Sequence, residues 1–112
     1  MVMTWQEVID NPYLQNLPFK IELSKWGKVE MSPASNLHGK RQGEIFSELR
    51  KKRGGVVIIE CSIQTDDGVR VADVAWISNA LYAQFGMKTP YPQAPELRVE
   101  IMSPVIRGQK CT

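Results

Sequence analysis

Two β-type runs joined by a turn set the frame for this chain. Val56-Val57-Ile58-Ile59-Glu60-Cys61-Ser62-Ile63-Gln64 and residues 69–77 are rich in β-branched side chains, and Asp66-Asp67-Gly68 between them is a strong hairpin signal. Side chains on a strand alternate faces with a period of two, so the register of this hairpin decides which residues meet. With Asp67-Gly68 as a two-residue loop, the commonest hairpin connection, Asp66 faces Val69, Gln64 faces Val71 and Ser62 faces Asp73. Val57, Ile59, Cys61, Ile63, Ala72, Val74 and Trp76 then form one continuous apolar face. Glu60, Ser62, Gln64 and Asp73 fall on the other, with Glu60 and Asp73 as diagonal neighbours about 7–8 Å apart. A one-residue slip would separate the two acids and spoil the apolar face, so the two-residue loop is preferred.

Helices and further strands surround the hairpin. Thr4-Trp5-Gln6-Glu7 is a capping-box pattern and opens a short helix that Asn11-Pro12 ends. Phe19-Lys20-Ile21-Glu22-Leu23 alternates apolar and polar, as a half-buried strand does. Lys25-Trp26-Gly27-Lys28 reads as a turn, with a return strand to Met31 before the breaker Ser32-Pro33-Ala34-Ser35. From about Asn36 to Arg53 the pattern is helical, with His38, Gln42, Ile45 and Leu49 on one stripe, and Gly54-Gly55 stops it. Ser78 caps a short helix near Asn79–Phe85, closed by Gly86. A proline-spaced loop over 90–95 leads to a strand over 97–102. The expectation is an α+β fold: one domain over 1–112, with a mixed β-sheet and a packed helix.

Composition narrows the function classes. The 112 residues are 43% apolar and 23% charged, ordinary values for one globular domain. A net charge of +2 excludes a strongly basic nucleic-acid arm but not a local basic patch. No apolar run approaches the ~20 residues of a membrane span. The N-terminus MVMTWQEVID lacks the basic flank and apolar segment of a secretory signal. Cys61 and Cys111 make neither a disulfide framework nor a zinc pattern. A cytoplasmic protein with no membrane partner is expected.

The chemistry lies in three carboxylates, Glu60, Asp73 and Glu100, planted in otherwise apolar strands. A buried ionised carboxylate is costly without a partner. A divalent ion with oxygen ligands, Mg²⁺ or Mn²⁺, relieves such a cluster, polarises a phosphoryl oxygen and activates water. The competing reading leaves the acids solvated at strand ends, or paired with Arg70 and Arg98. Three converging acids with no lysine among them repel. At an effective dielectric near 20, each like-charge pair costs on the order of 2–4 kcal/mol. Asp73→Asn is then expected to stabilise the metal-free protein, and Mn²⁺ to stabilise the wild type.

Other residues carry weaker signals. His38 could act near the site, although a polar residue at a helix start is the commoner role. Gln42 on the same stripe could support the site or face water. Arg50-Lys51-Lys52-Arg53 could contact phosphates, but a basic last turn also complements the helix dipole. Trp5, Trp26 and Trp76 could stack on bases, with core packing the better reading for Trp76. No phosphate-loop spacing is present.

The order of helix, hairpin and strand, with Asp on the second hairpin strand and Glu on the next, resembles the PD-(D/E)XK nuclease core. More specifically, four segments resemble the Uma-two family of restriction-endonuclease-like proteins. They are Met31-Ser32-Pro33-Ala34-Ser35 with His38-Gly39 soon after; Glu60-Cys61-Ser62; Val71-Ala72-Asp73-Val74-Ala75-Trp76-Ile77; and residues 94–104, which include Leu97-Arg98-Val99-Glu100-Ile101-Met102-Ser103-Pro104. The resemblance covers roughly residues 19–104. It implies a restriction-endonuclease-like fold and a Mg²⁺- or Mn²⁺-dependent endonuclease site acting on DNA. Asp73 takes the acidic position of the motif, Glu100 the next, and Glu60 an acidic position before the hairpin, these three holding the metal. His38 stands where the family often has histidine. The motif lysine is expected two residues after Glu100, where this chain has Met102; a lysine from the following helix could replace it, and Lys110 is the remaining one there. Family members continue through a helix and further strands, so the resemblance implies a domain incomplete at its C-terminus.

Two function classes follow. The first is a metal-dependent endodeoxyribonuclease. The second is a catalytically inactive remnant or a DNA-binding or interaction module, prone to form homo-oligomers through an exposed sheet edge.

Overall fold

The computed structural model describes residues 2–17, 19–33 and 35–102. Its elements are α1 (Trp5–Asp10), β1 (Phe19–Leu23), β2 (Val29–Pro33), α2 (Asn36–Arg53), β3 (Val56–Thr65), β4 (Gly68–Ile77), α3 (Asn79–Phe85) and β5 (Leu97–Val99). The fold is α+β, as expected. The capping box is formed: the Thr4 hydroxyl accepts from the Glu7 N–H at 3.2 Å, and the Glu7 carboxylate accepts from the Thr4 N–H at 2.8 Å. Ser35 and Ser78 cap α2 and α3 through their hydroxyls alone, accepting from His38 and Leu81 N–H.

The strands form a five-stranded sheet in the order β2-β1-β4-β3, with β5 also on β4. All pairings between these strands are antiparallel, and one isolated parallel bridge joins Ile63 to Tyr91. Strand β2 runs on to Pro33, two residues past the expected end at Met31. Its Ser32 lies opposite Lys20 of β1.

The hairpin register differs from the expected one by two residues. Thr65 faces Gly68, so the loop is Asp66-Asp67, and Gln64 faces Val69 while Ser62 faces Val71. Gly68 is the reason. It adopts φ +88°, and a Cβ there would collide with the Leu23 carbonyl oxygen. The glycine thus serves the junction with β1 rather than the turn, which Thr65 closes by accepting from the Asp67 N–H at 3.0 Å. A shift of two preserves facing parity, so Glu60 and Asp73 stay together. The flanking pairs Ile59–Val74 and Cys61–Ala72 place them directly opposite rather than diagonal.

The continuous apolar face is not realised. One core cluster takes Cys61, Ile63 and Ala72 from one side of Glu60, and Ala75 and Ile77 from the other, with Leu81, Tyr91, Val56 and Ile58 packed on. Strict alternation would put those two sets on opposite faces. The break falls at Glu60, whose φ of +56° is outside the strand region. Beyond it Ile59 is 41% exposed and Trp76 only half-buried, its indole N–H donating to the Gly54 carbonyl at 2.7 Å. A second cluster joins Val8 of α1 to Leu23 and Val69 where β1 meets β4. In the first cluster, burial pushes the Cys61 thiol up to about 11, so it is a core hydrophobe.

Candidate functional site

Strand β4 has two unlike edges. Strand β3 follows one edge from Gly68 to Ile77. The other is shared: β1 reaches it only at Leu23–Val69, and β5 pairs with Val74, Ala75 and Trp76. Between those contacts neither β1 nor β5 pairs with β4, and the β4 backbone there needs other partners. Side chains of β1 supply them. The Glu22 carboxylate accepts from the Val71 N–H at 2.7 Å. Two residues earlier on the same side of β1, the Lys20 ammonium donates to Asp73 Oδ1 at 3.2 Å. The polar positions of Phe19-Lys20-Ile21-Glu22-Leu23 therefore fill a wedge between two strands.

Asp73 sits in the fork. It is 2% exposed, and both its oxygens are used. Oδ2 accepts from the Ile101 N–H at 2.7 Å. That bond explains why β5 ends at Val99 instead of running over 97–102: the next backbone donors turn toward a carboxylate rather than continuing the ladder. Oδ1 lies 3.2 Å from Lys20 Nζ and 3.2 Å from His38 Nε2. His38 stands in the first turn of α2, so the Ser35 cap fixes where its ring emerges. The sequence favoured a plain polar helix start there; the structure brings the imidazole onto Asp73.

Glu60 reaches the same place from β3. One ligand atom each of His38, Glu60 and Asp73 lies within 4.8 Å of the others. Gln42, one turn along α2, ties them together. Its buried amide nitrogen donates to Glu60 Oε2 at 2.9 Å and to the Asp73 carbonyl at 3.0 Å. Of the two roles considered for Gln42, support of the cluster is the one observed. Glu100 is set apart from that trio. It is linked through Lys20, whose Nζ donates to Glu100 Oε1 at 3.2 Å. A cavity of about 180 Å³ opens at the fork, lined among others by Lys20, Ser32, His38, Asp73, Glu100 and Ile101.

Lys20 is the residue that the sequence reading missed, and it overturns the expectation of acids with no lysine among them. Burial acts to lower its pKa, but the hydrogen bond to Asp73 and the charges of Glu100 and Asp73 outweigh that and hold it above its ordinary value. The ammonium therefore stays charged at neutral pH. The arginine partners considered for the acids are engaged elsewhere or exposed. Arg70 binds Glu30 at 2.6 Å and Asp67 at 2.9 Å, and Arg98 lies on the surface. Met102, at the position where the resemblance placed a lysine, is 82% exposed. Lys110 lies outside the described residues.

Among the described residues no helix is long and apolar enough to cross a membrane. No curated protein matches the chain. The model of the Uma2 family, described as "Putative restriction endonuclease", matches residues 5–108. That span runs from the start of α1 through β5 and takes in each residue of the fork. With nearly the whole chain matched, this protein belongs to the Uma2 family of restriction-endonuclease-like proteins.

Proposed function

We propose that the chain hydrolyses DNA phosphodiester bonds with a divalent metal held by Asp73, Glu60 and His38. The observation that carries this reading is the convergence of their ligand atoms within 4.8 Å on a buried aspartate, in a chain of this family. The donor set suits the ion. Metal–oxygen bonds of about 2.1 Å allow two ligands on one Mg²⁺ to stand at most about 4.2 Å apart, so a small contraction of side chains closes the site. One imidazole nitrogen beside two carboxylates also suits Mn²⁺. When bound, the ion supplies Lewis-acid polarisation of a phosphoryl oxygen and a more acidic water.

The remaining work falls to the chain. The Ile101 N–H and the Gln42 amide hold Asp73 and Glu60 in orientation, as partners of ligating carboxylates do. Glu100 lines the cavity wall beside Lys20, where it can take part in metal binding or orient water. The oxygen of water bonds to phosphorus, the bond to the leaving sugar oxygen breaks, and the proton lost by water is matched by one gained there.

Metal-dependent nicking of supercoiled plasmid by the purified protein is the test. Asp73→Ala, shown folded by circular dichroism, should abolish nicking. Equal nicking by that variant would overturn the reading. A second reading, a chain that binds DNA without cutting, is favoured by one observation: Lys20 already pairs with both Asp73 and Glu100 and offsets part of their charge. Plasmid retardation with no nicking in Mg²⁺ or Mn²⁺ would establish it.

A further inference from the structure

We propose that Lys20 is a catalytic residue of this site, its ammonium contacting a phosphoryl oxygen of the scissile diester in the cavity at the fork of β4. The proposal rests on the phosphodiesterase reading above. A diester brings negative charge into a cavity whose walls already carry Asp73 and Glu100. It needs a fixed cation there, and Lys20 is the one lysine or arginine that lines the cavity among the described residues.

The ammonium is held in place before any substrate arrives. Both acids grip it at 3.2 Å, and its side chain is 14% exposed. Its strand is fixed on both sides, by the β2 ladder and by the Leu23–Val69 pair. An ammonium has three donors. Two serve Asp73 and Glu100, and the third has no partner among the described residues. A preorganised donor aimed into a partly enclosed cavity stabilises developing charge better than a mobile surface lysine can. The basic run Arg50-Lys51-Lys52-Arg53 cannot serve instead. It lies at the far end of α2 from His38, on the order of 20 Å away at 1.5 Å per residue.

Lys20→Met, Lys20→Arg and Asp73→Asn separate this proposal from the reading beneath it. Plasmid nicking with Mn²⁺ and the rise in Tm caused by Mn²⁺ are measured for each. Lys20→Met should lower the nicking rate at saturating DNA about 100-fold. Its Mn²⁺-induced rise in Tm should be at least as large as in the wild type, because the metal ligands remain and a competing cation is gone. Lys20→Arg should recover part of the rate. Asp73→Asn should lose both nicking and the Mn²⁺ shift. Lys20→Met nicking at the wild-type rate, with Asp73→Asn inactive, would overturn the role of the lysine and leave the metal site standing. No metal-dependent nicking by the wild type would overturn both.

A measurement on the wild type covers the case in which Lys20→Met does not fold. In ¹⁵N-lysine-labelled protein, the Lys20 ammonium resonance, assigned by its loss in Lys20→Arg, should shift when a phosphorothioate DNA duplex and Mg²⁺ are added. An unmoved resonance in the presence of bound duplex would overturn the proposal.

Discussion

The two edges of β4 are built from one strand yet solve different problems. Toward β3 the backbone ladder extends along the hairpin, and Ile77 of β4, paired there with Val56, is wholly buried. Toward β1 and β5 the ladder is interrupted, and side chains from β1 satisfy what the backbone leaves open. Pairing and burial make the first edge a source of stability. At the second edge, the same need to satisfy buried polar groups draws Lys20, Glu22 and the Ile101 N–H onto one short stretch of β4. The incompletely shared edge of β4 thus gathers Lys20, Glu22 and the Ile101 N–H, while β3 contributes Glu60 at the one position where its own ladder is interrupted.

This contrast can be broken from either side. The largest loss of stability should come from the continuous edge. Ile77→Ala should cost about 2–5 kcal/mol in urea unfolding, because the site is sealed and a cavity would remain. A cost below 1 kcal/mol would mean that the first core cluster is loosely packed.

At the forked edge, Asp73→Asn should destabilise the metal-free protein by roughly 1–3 kcal/mol. The sign is opposite to the one that repulsion among bare acids predicts. The substitution leaves Lys20 with only the more exposed Glu100, and removes the charge that faces His38. Thermal melting in chelator decides between them: a higher Tm for Asp73→Asn would restore the repulsive picture.

Glu22→Ala should cost less, about 1–2 kcal/mol, by leaving the Val71 N–H unpaired inside the wedge. Amide exchange at Val71 should speed up in that variant, with amides of β3 unchanged. The smallest effect concerns the approach of β5. Glu96 accepts from the Ser78 N–H at 2.7 Å, and its hydrogen bonds to Ser78 hold its carboxyl below the ordinary range. A depressed value means that its contribution is present above the unfolded pKa and lost as pH falls through the folded one. Glu96→Gln should therefore lower stability slightly at neutral pH, converge with the wild type in acid and flatten the limb below about pH 4.5. An acid limb identical to the wild type would show that the bond does not persist in solution.

Much of the frame was legible because it is local. Helix starts at Thr4 and Ser78, the long helix over Asn36–Arg53 and the hairpin each announce themselves within a few residues. Asp73 and Glu60 were legible as partners because facing parity survives a register shift of two. What failed was what depends on contacts distant in sequence. Gly68 looked like a turn glycine, but its constraint comes from Leu23, a residue of another strand. The strand over 97–102 read as continuous, but Asp73 captures the Ile101 N–H. Lys20 was visible as a polar position on an alternating strand. That it faces Asp73, 53 residues on, follows only once β1 is known to lie beside β4 and to pair with it only at Leu23–Val69. No local pattern contains that information. The left-handed backbone at Glu60 was likewise invisible, since a glutamate in a β-branched run gives no sign of it.

The central claim is that the forked edge of β4 builds a metal site on Asp73. Mn²⁺ binding, followed by the electron paramagnetic resonance of the free ion at neutral pH, tests it most directly. The account predicts one bound ion per chain in the wild type, lost in Asp73→Asn and weakened in His38→Ala and Glu60→Gln. Absence of binding at millimolar Mn²⁺, or binding that Asp73→Asn leaves unchanged, would contradict it.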